Sequence, residues 1–170
     1  MTAVLPVATH PTGRNLVRLL RLWGTVFVAN MAGTLFIAAL IAWNVIVSGP
    51  QRDAAIAVSS AILAHGALQT MLLGMPAGFL VASLAWILPN ARGSEFWVIV
   101  MITYVIAIGG FSHVVAGSGE AWLLWCAGKI DLWRAIGGFI LPALVGNIIG
   151  GTGLFAVIAH GQVRSEIAVD

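Results

Sequence analysis

At 170 residues, with 60% hydrophobic and 8% charged side chains, the chain departs far from soluble domains, which carry about 25% charged and about 45–50% apolar residues. A chain of this length builds one core, and with so few charges its outer surface would be too apolar for water, so a soluble globular protein is excluded and a bilayer is the natural solvent. The net charge of +2 is small and the 8 basic residues are scattered, which leaves no electrostatic footprint for nucleic acid.

Met1 to Asn15 contains Pro6, Pro11 and Gly13 with no basic region ahead of an apolar run, so it does not read as a secretory signal. Residues 1–15 are assigned to a cytoplasmic or loop segment, 16–160 to the transmembrane domain and 161–170 to a cytoplasmic tail. A first apolar run extends from near Leu22 to Val47, long enough for the roughly 20 residues of a spanning helix. Ser48 to Asp53, with Gly49 and Pro50, reads as the loop that follows. The next run, Ala54 to Leu88, is too long for one straight crossing of a roughly 30 Å core at about 1.5 Å per residue. It should tilt, bend near Pro76, or keep its first part outside the lipid.

Pro89 to Glu95 forms another loop, and Phe96 to Ala127 reads as a broken helix. Its long half runs to Val115, Gly117-Ser118-Gly119-Glu120 is the unwound elbow, and Ala121 to Ala127 is the short half. A further span is expected from Ala135 to Ala159, whose many glycines suit backbone-to-backbone packing of membrane helices. The fold class is therefore an all-α polytopic membrane protein of about four spanning segments, one of them broken.

With the N-terminus inside, Arg14, Arg18, Arg21, Arg92 and Arg164 face the cytoplasm, against Arg52, Lys129 and Arg134 outside. This positive-inside bias places both termini in the cytoplasm of a multi-pass cell-membrane protein. The tryptophans fall mostly near span ends, where they are expected to act as anchors. The lone Cys126 is expected to be a small packing residue.

Polar groups in lipid are expensive, so Asn30, His65, Gln69, His113, Glu120, Asn147 and the Ser/Thr hydroxyls are the candidates for chemistry. His113 sits among glycines that let the backbone unwind, and an imidazole beside unpaired amide donors would suit a small anion. It also titrates near neutral pH. The bland alternative is a structural histidine bonded to a neighbouring helix. Glu120 is expected to start the short half-helix and cap it, or to act as proton partner of His113. His65 and Gln69 form an i, i+4 pair expected to hydrogen-bond to a neighbour. Asn30 and Asn147, each followed closely by glycine and threonine, hint at an internal repeat in which each asparagine bonds the unwound backbone of its own half. No phosphate loop, metal cluster, nucleophile elbow or dinucleotide fingerprint is present, so neither an enzyme nor a metal or cofactor site is expected. A different class remains open, a haem-binding membrane anchor, because His65, His113 and His160 lie in or at the ends of apolar helices.

Gly74 to Leu88, the Gly110-Phe111-Ser112-His113 elbow, and Phe139-Ile140-Leu141-Pro142 leading into Gly146-Asn147-Ile148-Ile149-Gly150-Gly151 resemble the formate/nitrite transporter family. Trp23-Gly24 and Asn30-Met31-Ala32-Gly33 are similar to the start of that family's third helix. The resemblance implies a homo-oligomer, a pentamer of six-helix protomers, built from two aquaporin-like inverted repeats, and it places this chain at helices three to six. It further implies that the first two helices are lacking, through a truncated gene, an internal start or a fragment, and that the chain belongs to a less characterised branch. His113 matches the family's central pore histidine, and Asn147 and Asn30 match the supporting asparagines of the sixth and third helices. Phe111, Ser112, Gly117, Ser118 and Glu120 are then expected beside the pore, and small monovalent anions such as formate or nitrite are the implied substrates. A remnant that does not transport is the other outcome compatible with the missing half.

Overall fold

The computed structural model describes residues 12–155. The segment up to Pro11, His160, Arg164 and the expected tail 161–170 lie outside the described residues. Among the described residues every regular element is a helix. The helices are α1 (Gly13–Ala42), α2 (Gly49–Ser59), α3 (Ala67–Ile87), α4 (Glu95–Ile108), α5 (Val114–Cys126) and α6 (Leu132–Leu154). Three stretches are long and apolar enough to cross a membrane, namely Gly13–Ala42, Ala67–Asn90 and Leu132–Leu154. With α4 and α5 as the two parts of a broken crossing, the chain is an all-α polytopic membrane protein.

The first helix starts earlier and stops sooner than the apolar run suggests. The Thr12 hydroxyl accepts the Asn15 N–H at 3.3 Å and caps the start. At the other end Asn44 adopts a positive φ of 57°, and its N–H donates to Ile41 O while Val45 N–H donates to Leu40 O. This paired stop is available to the few residues that tolerate left-handed backbone, Asn among them.

The second apolar run is divided at His65-Gly66, and Pro76 lies inside the helix that follows. A 3-10 turn, Ser60–Ala64, follows α2, and His65 is extended at φ −113° and ψ 140° before α3 begins. His65 and Gln69 are therefore not an i, i+4 pair on one helix. Arg134 of α6 holds the division by donating to Leu63 O at 3.4 Å and His65 O at 3.2 Å, so the carbonyls at this end find a cation instead of water.

Two packing units organise the chain, α1 against α5 and α3 against α6. The second rests on glycine. A Cβ at Gly78 would strike the Asn147 backbone, one at Gly146 the Met71 carbonyl, and one at Gly150 the Met75 carbonyl. Gly74 and Gly78 thus face Gly146 and Gly150, two small-xxx-small surfaces that bring the backbones together without a hydrophobic driving force. The line of α6 is modulated by wide turns at Ile136–Ile140 and Ile149–Leu154. The first precedes Pro142, which has no N–H to give the preceding turn. Elsewhere apolar side chains face outward: α4 buries no residue, and Phe96, Trp97, Met101 and Tyr104 lie exposed on it, as a lipid-facing helix allows. Trp133, 78% exposed, suits an interfacial anchor, whereas Trp122, at 8%, is a core residue and corrects that expectation.

Replacing Gly150 by Ala is expected to destabilise the fold by about 1–3 kcal/mol or more, because the new methyl meets backbone that has no room to give. Gly24→Ala meets nothing within 4 Å and is expected to be neutral or slightly stabilising. Unfolding midpoints in detergent compare the two, and equal midpoints would defeat the close-packing account.

Candidate functional site

The break lies between Ile108 and Val114, upstream of the elbow expected at Gly117 to Glu120, and those four residues are helical within α5. Gly117 backs onto the Phe139 ring with no space for a side chain, so it serves close packing rather than unwinding. The chain stops α4 by the same paired geometry seen after α1. Gly110 takes φ 58°, its N–H donates to Ala107 O at 3.2 Å, and Phe111 N–H donates to Ile106 O at 3.0 Å. Gly109 lies under the Phe111 ring, where a Cβ would come within 2.6 Å.

The helix restarts at His113, which is extended at φ −84° and ψ 118°. Its ring Nδ1 accepts the Ala116 N–H at 3.3 Å. Between stop and restart the backbone is served from two other helices. Ser112 N–H donates to Leu73 O of α3 at 3.1 Å. Asn147 of α6 donates through Nδ2 to Ser112 O at 2.7 Å and to Gly74 O at 3.1 Å, and accepts the Val114 N–H on Oδ1 at 3.1 Å. One amide thus joins α3, the break and α6. The N–H groups of Ser112, His113, Val114, Ala116 and Gly117, expected to stand free for an anion, are occupied, which corrects that reading at these donors: lipid offers no water, so the protein supplies their partners.

Glu120 neither starts nor caps α5. It lies in mid-helix, and no hydrogen bond or ion pair reaches its carboxyl among the described residues. It lines an open cleft of about 950 Å³ between α1, α2 and α5 together with Asn30, Thr34, Ser59 and a majority of apolar residues. Ser118 is fully buried, donating to Val115 O at 2.7 Å and meeting Thr34 Oγ1 at 3.0 Å, so it links α5 to α1. Asn30, despite its likeness to Asn147, donates only to Val26 O of its own helix, at 2.8 Å. The expected residues thus fall into two groups. Phe111, Ser112, His113 and Asn147 form the break, and Asn30 and Glu120 line the cleft, with Ser118 behind it. Thr34 and Ser59 belong to the Ser/Thr hydroxyls that the sequence left undistinguished: Thr34 had a signal, four residues after Asn30 on the same face, and Ser59 had none, because its position depends on the division at His65-Gly66.

A second pocket of about 680 Å³ near the end of α5 is lined by Arg52, Asp53, Cys126 and Lys129. Arg52 and Asp53 pair there at 3.2 Å.

Fold and site define a multi-pass helical membrane protein in which one crossing is interrupted and the interruption is closed by side chains. Residues 1–161 match the formate/nitrite transporter family, and the chain belongs to that family. It is similar to the Inner membrane protein YfdC of Escherichia coli (strain K12), 34% identical over 168 residues, covering 99% of this chain and 54% of that protein. It is also similar to the Uncharacterized transporter YrhG of Bacillus subtilis (strain 168), 31% identical over 153 residues, covering 85% of this chain and 57% of that protein. The chain spans about half the length of these curated relatives. No solved structure gives a significant match.

Asn147→Ala strips partners from Gly74 O, Ser112 O and Val114 N at once. Each buried group left unsatisfied costs about 1–3 kcal/mol, so this variant is expected to lose much of its folded population in detergent. Asn30→Ala removes one bond within α1 and is expected to stay within about 0.5 kcal/mol of the parent. Chemical unfolding of the two variants checks this, and comparable losses would remove the special standing given to Asn147.

Proposed function

We propose that this chain is a subunit of a multi-pass inner-membrane transporter or channel for small monovalent anions of the formate and nitrite kind. His113 is its central polar group on the permeation path, Phe111 and Ser112 flank it at the break, Glu120 follows along α5, and Gly117 and Ser118 support the path from behind by packing α5 on its neighbours. Asn147 supports the path by holding the break, and Asn30 faces it from α1. The protomers assemble as a homo-oligomer, a pentamer, in the lipid bilayer with both termini in the cytoplasm. No enzymatic step is assigned.

The observation that carries this reading is family membership over residues 1–161 combined with an interrupted crossing that places a histidine at its restart. The inner-membrane assignment is supported by the similar Escherichia coli protein, whose name states that location. Irregular backbone at membrane depth is tolerated where protein or a water-filled path covers it, and the largely apolar cleft beside α5, with Asn30, Thr34 and Glu120 on its wall, lies next to the break. His113 caps α5 and Glu120 lies seven residues on, about 10 Å of rise along the helix.

The test is reconstitution of the intact chain into liposomes loaded with formate or nitrite. Release is expected to exceed that of protein-free vesicles, and His113→Ala is expected to lower it by about tenfold or more, the equivalent of one lost interaction of about 1.4 kcal/mol. Release equal to protein-free vesicles refutes transport by this chain. Native mass spectrometry of the same preparation reads the assembly against the 17.8 kDa chain.

A further inference from the structure

Where α5 ends, two basic side chains meet with no structural task that occupies them. The helix closes its own terminus. Gly128 takes φ 68°, and the N–H groups of Ala127, Gly128 and Lys129 donate to Leu123 O, Trp125 O and Leu124 O at 2.9, 3.0 and 2.8 Å. Helix α1 ends beside it, its last carbonyls bound in the same way around Asn44. Capping helix carbonyls, the ordinary work of Lys and Arg at such a place, is therefore already done by the backbone. The Lys129 ammonium has no hydrogen-bond or ion-pair partner among the described residues. Arg52 reaches Asp53 Oδ1 through Nε and Nη2, each at 3.2 Å, and keeps its Nη1 donors uncommitted.

Both cations line the pocket of about 680 Å³, whose wall also holds Asp53 and Ser60 and whose apolar part includes Ile56 and Cys126. This pocket is distinct from the cleft that holds Glu120. Arg52, Asp53 and Ile56 line the pocket, whereas Ala54, Ala55 and Val58 line the cleft. At about 3.6 residues per turn these two sets occupy opposite sides of α2.

The depth of the pocket follows from the broken crossing. Helix α4 has 14 residues and α5 has 13, roughly 20 Å on each side of the break at about 1.5 Å of rise per residue. Together they exceed the roughly 30 Å hydrocarbon core and approach the roughly 40–45 Å that includes the headgroups. The end of α5 thus stands at headgroup level. Trp125 on its last turn, Trp43 just after α1 and Trp133 at the start of α6 are exposed there, as an interfacial belt requires.

We infer that this pocket is a phospholipid site, in which Lys129 and Arg52 bind the phosphodiester of a headgroup and the acyl chains follow the exposed helix surface toward the membrane centre. The guanidinium fork and the compact ammonium are the two side-chain groups suited to phosphate oxygens. Asp53 sets which phosphate fits. Arg52 and Lys129 against Asp53 leave one net positive charge on the wall, the complement of a singly charged phosphodiester. Inorganic phosphate carries more than one negative charge at neutral pH, and the carboxylate repels the excess. Asp131, two residues beyond Lys129, is engaged at the start of α6, where it accepts the Arg134 N–H at 2.6 Å. The site is independent of what crosses the membrane.

The intact chain in detergent is titrated with dioleoyl phosphatidylglycerol, and native mass spectrometry follows the bound lipid. A saturable adduct is expected, and dioleoylglycerol, which has the same acyl chains without the phosphate, is expected to give none. Lys129→Gln and Arg52→Gln are each expected to weaken the adduct by about tenfold, the loss of one charge-assisted contact. Arg92→Gln, an exposed cation beyond the opposite end of α3, is expected to bind lipid as the parent does. Lys129 is exposed and lies outside the helices, so its variant is expected to keep the parent's thermal midpoint and decides the test even where Arg52→Gln unfolds.

Absence of a saturable adduct, an equal adduct with dioleoylglycerol, or parent-like affinity in Lys129→Gln overturns the site. Displacement of the lipid by sodium phosphate at the same concentration identifies a site for free anions and overturns the lipid assignment.

Discussion

A membrane offers the backbone nothing to bond with, and the architecture around residues 109–114 follows from that constraint. Interrupting a helix in lipid strands carbonyls on one side and N–H groups on the other, each costing several kcal/mol if left bare. Here the carbonyl side is closed by the left-handed turn at Gly110. On the N–H side, His113 takes the Ala116 donor from within and Asn147 takes the Val114 donor from outside. Ser112, between them, is bound to α3 through its N–H and to α6 through its carbonyl. The break is a built feature with its own set of partners.

Those partners are in reach only because α3 and α6 touch backbone to backbone. Side chains at Gly78, Gly146 or Gly150 would push the helices apart and carry Asn147 away from Gly74, Ser112 and Val114. Glycine is costly in a helix taken alone. In this pair it is what positions one carboxamide for three bonds, so the energetics of packing and the chemistry of the site are the same set of residues. The two GxxxG surfaces and Asn147 form one device.

The α1–α5 unit has a different character. Thr34 and Ser118 tie it together, and small residues leave the cleft in which Asn30 and Glu120 lie. Asn30 and Asn147 have nearly the same local sequence, yet one bonds its own helix and the other bonds a break. The difference lies in what stands opposite: Asn147 faces an interruption and Asn30 faces the open cleft. That asymmetry accompanies a chain spanning about half the length of its curated relatives.

Composition and hydropathy alone determined the solvent, the all-helical class, the approximate crossings and the fact that the third apolar segment is interrupted, because each follows from local chain chemistry and the thickness of lipid. Family membership was legible in the motifs around His113 and Asn147. Those motifs also carried the Gly110 to His113 elbow, whereas glycine content alone put the interruption at Gly117 to Glu120. Gly110 and Gly117 are equally free to unwind, and the difference is that Phe139 packs on Gly117 while Asn147 and Leu73 wait for Ser112. The same holds at His65-Gly66, where Arg134 from a distant helix holds the end of the turn, and at Glu120, which became a cleft residue once α5 started at Val114. A helix ends where its bared polar groups find partners, and when those partners lie on other helices, only the tertiary structure decides the place.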